Sequence, residues 1–570
     1  MADERRHDNF PWWQRGIIYH IYPRSFQDSN GDGIGDLHGI LNRLDYLVWL
    51  GIDAIWLSPI YPSPMIDFGY DVTSYTAIDP IFGDLATFDE LVARAHAHNI
   101  RIIMDYVANH TSDQHPWFRA SRSSRTNPQR DWYIWADPRP DGSPPNNWLS
   151  HWGGSAWEWD ETTGQYYLHM FHTTMPDLNW RNPAVKAAML DVLRFWLDRG
   201  VDGFRIDAVA QIMKDPQFRD NPPNPAATAS QPPTIPQTPT SPQVPGAPDK
   251  TSPSIPRPLK EYDTQLHLYD RDHPDIHPIL RELRRVLDTY NGQWPRLACA
   301  ETRVASWQRW AAYYGTTLDE LHIPFNFGLI HTPWTAQAVR HLVDTIEASL
   351  PPGAWPNYVL STHDDPRLAT RIGPQQARVA ILLQLTLRGT PILYYGDEIG
   401  MHDIPIPPER VRDRWANRDP ARTPMQWNST PNAGFCPPDV EPWLPIAPDY
   451  PQINVAAARA DPHSLLTLTH TLITLRRTTP ALAIGSYHPI DSAPETCFAY
   501  LRQFGSQRRL IALNFTGNTL TLQLPHLGRG RILLSTWLDR EEDVDLAALR
   551  LRGHEGCIIQ PSPGPRTPGT

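Results

Sequence analysis

Cysteine is scarce. The 570 residues hold four, Cys299, Cys436, Cys497 and Cys557, with no Cys-x-x-Cys pair and no metal-ligand spacing. A disulfide framework is thereby excluded as the organising principle. No stretch is apolar and long enough to cross a bilayer. The first ten residues, MADERRHDNF, are charged and no apolar run follows them. A signal peptide is therefore not expected, and a cytoplasmic location is. Positive charge is in deficit: 51 Lys and Arg against 62 Asp and Glu give a net charge of -11. That balance argues against nucleic acid or an anionic membrane as partner. No His/Asp/Glu spacing demands a catalytic metal.

What is present is enough for two or three domains, with 40% hydrophobic and 10% aromatic residues. Short apolar runs at 17–23, 54–59, 101–107, 203–209, 296–301, 321–327, 357–362 and 390–396 read as strands. Helical patterns at 86–99, 183–199, 274–290 and 374–388 lie between them; in the third, Ile276, Ile279, Leu280, Leu283, Val286 and Leu287 share one face. Eight strand-then-helix units predict an α/β fold, a (β/α)8 TIM barrel. About seventy residues rich in Trp, Tyr, His and Pro follow the third strand, the length of a functional loop. A Pro/Thr/Ser tract at 222–258 follows the fourth and cannot form a core. From about 487 the pattern turns to short alternating strands, which predict a C-terminal antiparallel β-sandwich. The expected division is 1–107 barrel, 108–176 inserted lobe, 177–480 the rest of the barrel, and 481–570 the β domain.

One strand is unusual. Gly203-Phe-Arg-Ile-Asp-Ala-Val209 is apolar apart from Arg205 and Asp207, which fall on one face two residues apart. Charges enter an apolar strand only when paired. The stretch alone allows a structural ion pair or a carboxylate held ionised by Arg205 for chemistry. Other strands also end in charge: Asp105 with His110, then Glu301, then His363 with Asp364. Catalytic residues of a barrel collect at that end. Three carboxylates converging in one pocket suit glycosidic bond cleavage, and their mutual repulsion raises the pKa of the one that must carry a proton.

Asp105-Tyr-Val-Ala-Asn-His110, Gly203-Phe-Arg-Ile-Asp207, Ala300-Glu301 and Thr362-His-Asp364 resemble the four signature regions of the α-amylase family of glycoside hydrolases. Met175-Pro-Asp-Leu-Asn179 and Gly389-Thr-Pro-Ile-Leu-Tyr-Tyr-Gly-Asp-Glu398 resemble its further marker regions. The resemblance implies Asp207 as nucleophile, Glu301 as acid/base and Asp364 as stabiliser of the distorted ring. It implies that Arg205 keeps Asp207 ionised and that His110 and His363 donate to sugar hydroxyls. A retaining mechanism follows, with the two working carboxyls about 5–5.5 Å apart. The chain departs from the family where Thr362 stands for the usual Asn and where Asp365-Pro366 follows the catalytic aspartate.

Asp28-Ser-Asn30-Gly-Asp32-Gly-Ile34-Gly-Asp36 places oxygens at alternate positions, with Ile34 offering its carbonyl. This is calcium-loop spacing, but Gly39 stands where an EF-hand needs Glu. It resembles the ion loop of α-glucosidases and oligo-1,6-glucosidases, which implies a structural Ca²⁺ or Mg²⁺ and no organic cofactor. Gly69-Tyr70-Asp71 and Asn417-Arg418-Asp419 resemble the segments that close the non-reducing end of the pocket in that branch. Asp71 and Arg418 would then bond the terminal 4-hydroxyl, with Tyr70 stacked on the ring. Ala208 leans towards α-1,4 linkages, a preference worth only about 1–3 kcal/mol. The expected activity is a retaining, exo-acting α-glucosidase on short α-glucosides, probing small sugars as a monomer or small homo-oligomer. A transglucosylase or isomerase of the trehalose synthase or sucrose-acting kind, and a non-catalytic carbohydrate-binding relative, stay open as alternatives.

Overall fold

The computed structural model describes residues 10–225, 227, 261–292 and 294–562. Eight parallel strands form one sheet: β1 (Ile18–Ile21), β2 (Ala54–Leu57), β3 (Arg101–Val107), β4 (Gly203–Asp207), β5 (Leu297–Ala300), β6 (Ile323–Pro324), β7 (Asn357–Val359) and β8 (Thr390–Tyr394). Each falls within one of the eight apolar runs. Their order, β7-β8-β1-β2-β3-β4-β5-β6, is chain order taken around a ring, the arrangement of a (β/α)8 barrel. The ladder breaks between β6 and β7, since β6 is two residues long and Pro324 has no N–H to give. The Asn357 side chain spans the break. Its Nδ2 donates to Pro324 O at 2.5 Å, and its Oδ1 accepts from Asn326 N at 3.0 Å.

Helices Leu85–Ala97, Pro183–Asp198, Ile276–Thr289 and Ala336–Ser349 follow β2, β3, β4 and β6. Asp84 and Thr335 cap two of them by accepting from Thr87 N and Ala338 N, filling orphan donors of the first turn. After β7, Leu368–Thr386 is two helices parted at Gly373, whose φ is +79. Pro374 accounts for the break, because it lacks an N–H and bars its predecessor from helical geometry.

The chain clusters into two compact units. One runs to Asn109 and includes Lys186–Ala210 and the chain from His277; the other joins His110–Val185 to Gln211–Ile276. The first unit contains the barrel and a C-terminal six-stranded antiparallel sheet built on Cys497–Phe504, Gln507–Asn514, Gly556–Pro561 and Arg529–Ser535. Alternate residues Ala499, Leu510, Ala512, Ile532, Cys557 and Ile559 fill the core of that domain. The second unit is the lobe inserted after β3. A three-stranded antiparallel sheet (Trp135–Ala136, Gln165–Leu168, Trp157–Asp160) covers Trp148, Leu168, Met170 and Tyr262. The described residues of 211–276, which the sequence reading left with the barrel, pack in this lobe: Trp148 donates to Arg219 O at 2.8 Å, and Lys214 meets Asp177 at 2.5 Å in a buried ion pair.

Most of the proline tract expected at 222–258 lies outside the described residues, as does the tail beyond Ser562. All four cysteines are buried free thiols. Among the described residues no helix is long and apolar enough to cross a membrane.

Candidate active site

The site begins at β4. A Cβ on Gly203 would lie 2.7 Å from the Cβ and the carbonyl oxygen of Leu297, so glycine is what lets β4 lie against β5. Registration aligns Arg205 with Asp105 of β3 and Cys299 of β5. Strand alternation then puts Arg205 and Asp207 on one face. The Arg205 guanidinium, 2% exposed, gathers three carboxylates: Nη1 donates to Asp105 Oδ1 at 2.7 Å and Asp207 Oδ1 at 2.6 Å, and Nη2 to Glu301 Oε2 at 2.5 Å. Trp56 and Tyr70 donate to the other oxygen of Asp105 at 3.0 and 3.1 Å. Arg303, from the loop after β5, donates to Glu301 Oε1 at 2.7 Å.

A second cluster forms after β7. Arg418 donates to Asp364 Oδ1 at 3.2 Å, Asp67 at 2.5 Å and Asp413 at 2.6 Å. Arg422 donates to the same Asp364 oxygen at 3.2 Å and to His363 O at 2.7 Å. His363 is stacked between Tyr70 and Tyr22, at 5.5 and 5.7 Å, and its Nε2 lies 2.9 Å from the Tyr70 hydroxyl.

The two clusters titrate differently. Around Arg205 one cation faces three carboxylates in a buried setting. Burial pushes Asp105 up to about 6 and Asp207 well above the usual carboxylate range, with Arg205 opposing both. Burial also works on Glu301, but Arg205 and then Arg303 outweigh it and hold Glu301 below its usual value. Asp364 is held well below its own: burial opposes this, while His363, Arg418 and Arg422 enforce it. Burial lowers His363 to about 3, so its ring is neutral near pH 7. Burial pushes Asp207 up, while Arg205 pulls it down, as its expected role requires. Glu301 has two guanidinium partners, Arg205 and Arg303, and Asp207 shares one.

Asp71 and Arg418, read from the sequence as closing the sugar pocket, have separate partners here. Asp71 is fully buried and spent on its own turn: Oδ1 accepts from Ser63 Oγ at 2.6 Å and Asp67 N at 3.1 Å, and Oδ2 from Ile66 N at 2.9 Å. The carboxylate that meets Arg418 is Asp67, in a loop where Met65 and Phe68 have φ of 64 and 50. Nothing in the sequence separated the two aspartates of Asp67-Phe-Gly-Tyr-Asp71. Ala208, directly after Asp207, has φ 43, a left-handed geometry that alanine adopts at a cost. His110 belongs to the second unit, buried, its ring 5.1 Å from Phe171 and its backbone bridged to Asp177.

In the Asp28–Asp36 loop, read from the sequence as an ion loop, the side-chain oxygens accept hydrogen bonds from the loop's own backbone. Asp28 accepts from the backbone of Asn30, Gly31 and Gly33, Asn30 from Asp32, and Asp32 from Ile34. Asp36 caps the next helix at Gly39 N and takes Ser29 N and Oγ besides. The alternating oxygens thus close successive turns. Among the described residues no three His, Cys, Asp or Glu side chains are grouped as metal ligands.

Comparison with known proteins gives a consistent outcome. Residues 20–485 match the family model described as alpha amylase, catalytic domain. A probable alpha-glucosidase of Rhizobium meliloti (strain 1021) is 40% identical over 532 residues, covering 90% of this chain and 91% of its own. Among solved structures, the alpha-glucosyl transfer enzyme XgtA superposes with a TM-score of 0.86 at 38% identity, over 97% of this chain and 100% of its own. An isomaltulose synthase from Erwinia rhapontici, solved in complex with sucrose, superposes at 0.83 and 33% identity, over 97% and 100%.

Proposed function

The chain belongs to the α-amylase family, in its α-glucosidase and oligo-1,6-glucosidase branch, and on that premise we propose a retaining, exo-acting α-glucosyl enzyme in which transfer to a sugar acceptor competes with hydrolysis. The chain is a glycosidase or transglycosylase acting on α-glucosides. Of the two finer readings, transglucosylation has the better support, because XgtA and the isomaltulose synthase are among the structures this chain resembles over its length. An α-1,4-preferring hydrolase has less.

The observation that carries the reading is that one guanidinium, Arg205, binds both Asp207 and Glu301. Two carboxyls on one planar fork suit the short spacing of retaining enzymes, about 5–5.5 Å, rather than the wider inverting one. An Asp207 oxygen attacks C1, and the bond to the leaving oxygen breaks with its electron pair, which takes the proton from Glu301. The acceptor hydroxyl then gives its proton to Glu301 and attacks C1, and the bond to Asp207 breaks. Asp364, held anionic, stabilises positive charge developing on the ring. Arg418, tied to Asp67, Asp364 and Asp413, supports exo-action as a fixed wall at one end of the sugar site.

NMR of the first sugar released from maltose tests the mechanism. α-Glucose is expected first, with transfer products rising as maltose or sucrose is raised. β-Glucose first would overturn the retaining assignment. Asp207→Asn is expected to cut turnover by at least ~10³-fold, since nucleophile and acid/base act as one unit.

A further inference from the structure

Both oxygens of Glu301 are occupied by guanidinium groups: Oε2 by Arg205 at 2.5 Å and Oε1 by Arg303 at 2.7 Å. A carboxyl that must pass a proton to a glycosidic oxygen needs one oxygen released to carry it. Arg205 cannot leave, because it is buried and also ties Asp105 and Asp207. Arg303 can. Its side chain is 37% exposed, and it has a second partner close by, Asp365 Oδ2 at 3.5 Å. That Asp365 oxygen is held in place by the Thr362 hydroxyl at 3.0 Å. The Phe327 ring lies 4.5 Å from the guanidinium, giving it an aromatic face to slide on.

We propose that Arg303 is a positioning residue that latches Glu301 in the resting enzyme and releases it by stepping across to Asp365. The step rests on the role given to Glu301 above. Thr362 and Asp365, the two departures from the family pattern, then act together: one anchors the berth and the other is the berth. The charged groups around Glu301 are Asp105 from β3, Arg205 and Asp207 from β4, Asp364 and Asp365 after β7, and Arg303 itself. Arg303 combines exposure with a second ion-pair partner, Asp365, within 4 Å of its guanidinium. With Arg303 on Asp365, Glu301 loses a cation, and its freed Oε1 is open to carry the proton that passes to the leaving oxygen. Asp207 attacks as the anion, with Arg205 still on it. Burial and the Arg303 charge already place the two carboxyls on opposite sides of their ordinary range.

The test is the pH dependence of kcat/KM for maltose and for an aryl α-glucoside whose leaving group needs little protonation. Removing the latch in Arg303→Gln is expected to move the alkaline limb for maltose up by roughly one unit, with Arg303→Lys in between. Removing the berth in Asp365→Asn leaves Arg303 on Glu301. Maltose turnover is then expected to fall ~10-fold while the aryl glucoside falls less than ~3-fold. An alkaline limb unmoved in Arg303→Gln, or equal losses on both substrates in Asp365→Asn, would overturn the latch. Asp365→Asn and Arg303→Lys keep the test available should Arg303→Gln fold poorly. Glu301→Gln separates the two readings: if it keeps full maltose turnover, the acid/base assignment fails whatever Arg303 does.

Discussion

Two clusters of acid and guanidinium at the same end of the barrel solve opposite problems. Around Arg205, one guanidinium is shared by Asp105, Asp207 and Glu301, and burial pushes Asp105 and Asp207 up. Around Asp364, Arg418 and Arg422 converge on one carboxylate oxygen and, with His363, hold it low. Both sets are buried, so burial alone does not decide protonation. The number of guanidinium groups on each carboxylate matters as well: two on Asp364 and on Glu301, one shared on Asp207. A nucleophile and acid/base pair must exchange a proton, and the first cluster is poised for that. A stabiliser of developing positive charge must never take one, and the second is poised for that.

The largest test of this contrast removes one cation from each cluster. Arg205→Met leaves three buried carboxylates with no common partner and is expected to cost about 3–5 kcal/mol of stability in denaturant unfolding, with activity lost. Arg418→Met leaves Arg422 on Asp364 and is expected to cost less than half as much. The Arg205→Met deficit should shrink as pH falls, because the orphaned carboxylates take up protons. Equal losses in the two variants would break the comparison.

A smaller pair of changes separates a wall residue from its support. Asp67→Asn is expected to lower kcat/KM ~10²-fold with little change in stability, since it weakens the Arg418 tie. Asp71→Asn is expected to cost about 1–3 kcal/mol through its turn and to lower activity less. The reverse order would restore Asp71 as the sugar ligand. Burial raises Asp71 to about 6. Between the unfolded value near 4 and about 6, the folded state binds the extra proton. Stability from this group is therefore full at low pH and falls as pH rises through that window, a slope that Asp71→Asn should lack.

How much of this was legible in the sequence depended on distance along the chain. The eight strands were legible because each is a short apolar run between polar turns. The charges of Arg205 and Asp207 announced themselves by standing in one of those runs. Thr362 and Asp365 were visible as departures, but their meaning needed Arg303, some sixty residues earlier and on another strand's loop. Asp67 and Asp71 lie on one turn, and only the fold shows which carboxylate turns to the backbone and which meets Arg418. The Asp28–Asp36 spacing is shared by two devices: Asx turns and ion loops place oxygens at the same alternate positions. The pKa order of Asp207 and Glu301 was hidden, since it turns on a second guanidinium that no motif included.

The smallest test concerns strain beside the two clusters. Ala208 follows Asp207 with φ 43, and Asn417 precedes Arg418 with φ 52. Asparagine visits this left-handed region with little penalty, whereas alanine sacrifices about 1–2 kcal/mol to hold it. Glycine relieves that strain but adds unfolded-state entropy of about 0.5–1 kcal/mol. Ala208→Gly is therefore expected to raise stability slightly, by about 0.5 kcal/mol, and Asn417→Gly to leave it unchanged or lower it, both read from thermal unfolding. If Ala208→Gly also lowers kcat while KM holds, the strained alanine fixes the direction of the nucleophile, and strain is stored on the Arg205 side alone. If both glycine variants gain stability equally, the two clusters share one backbone device and differ only in how their arginines are distributed over the carboxylates.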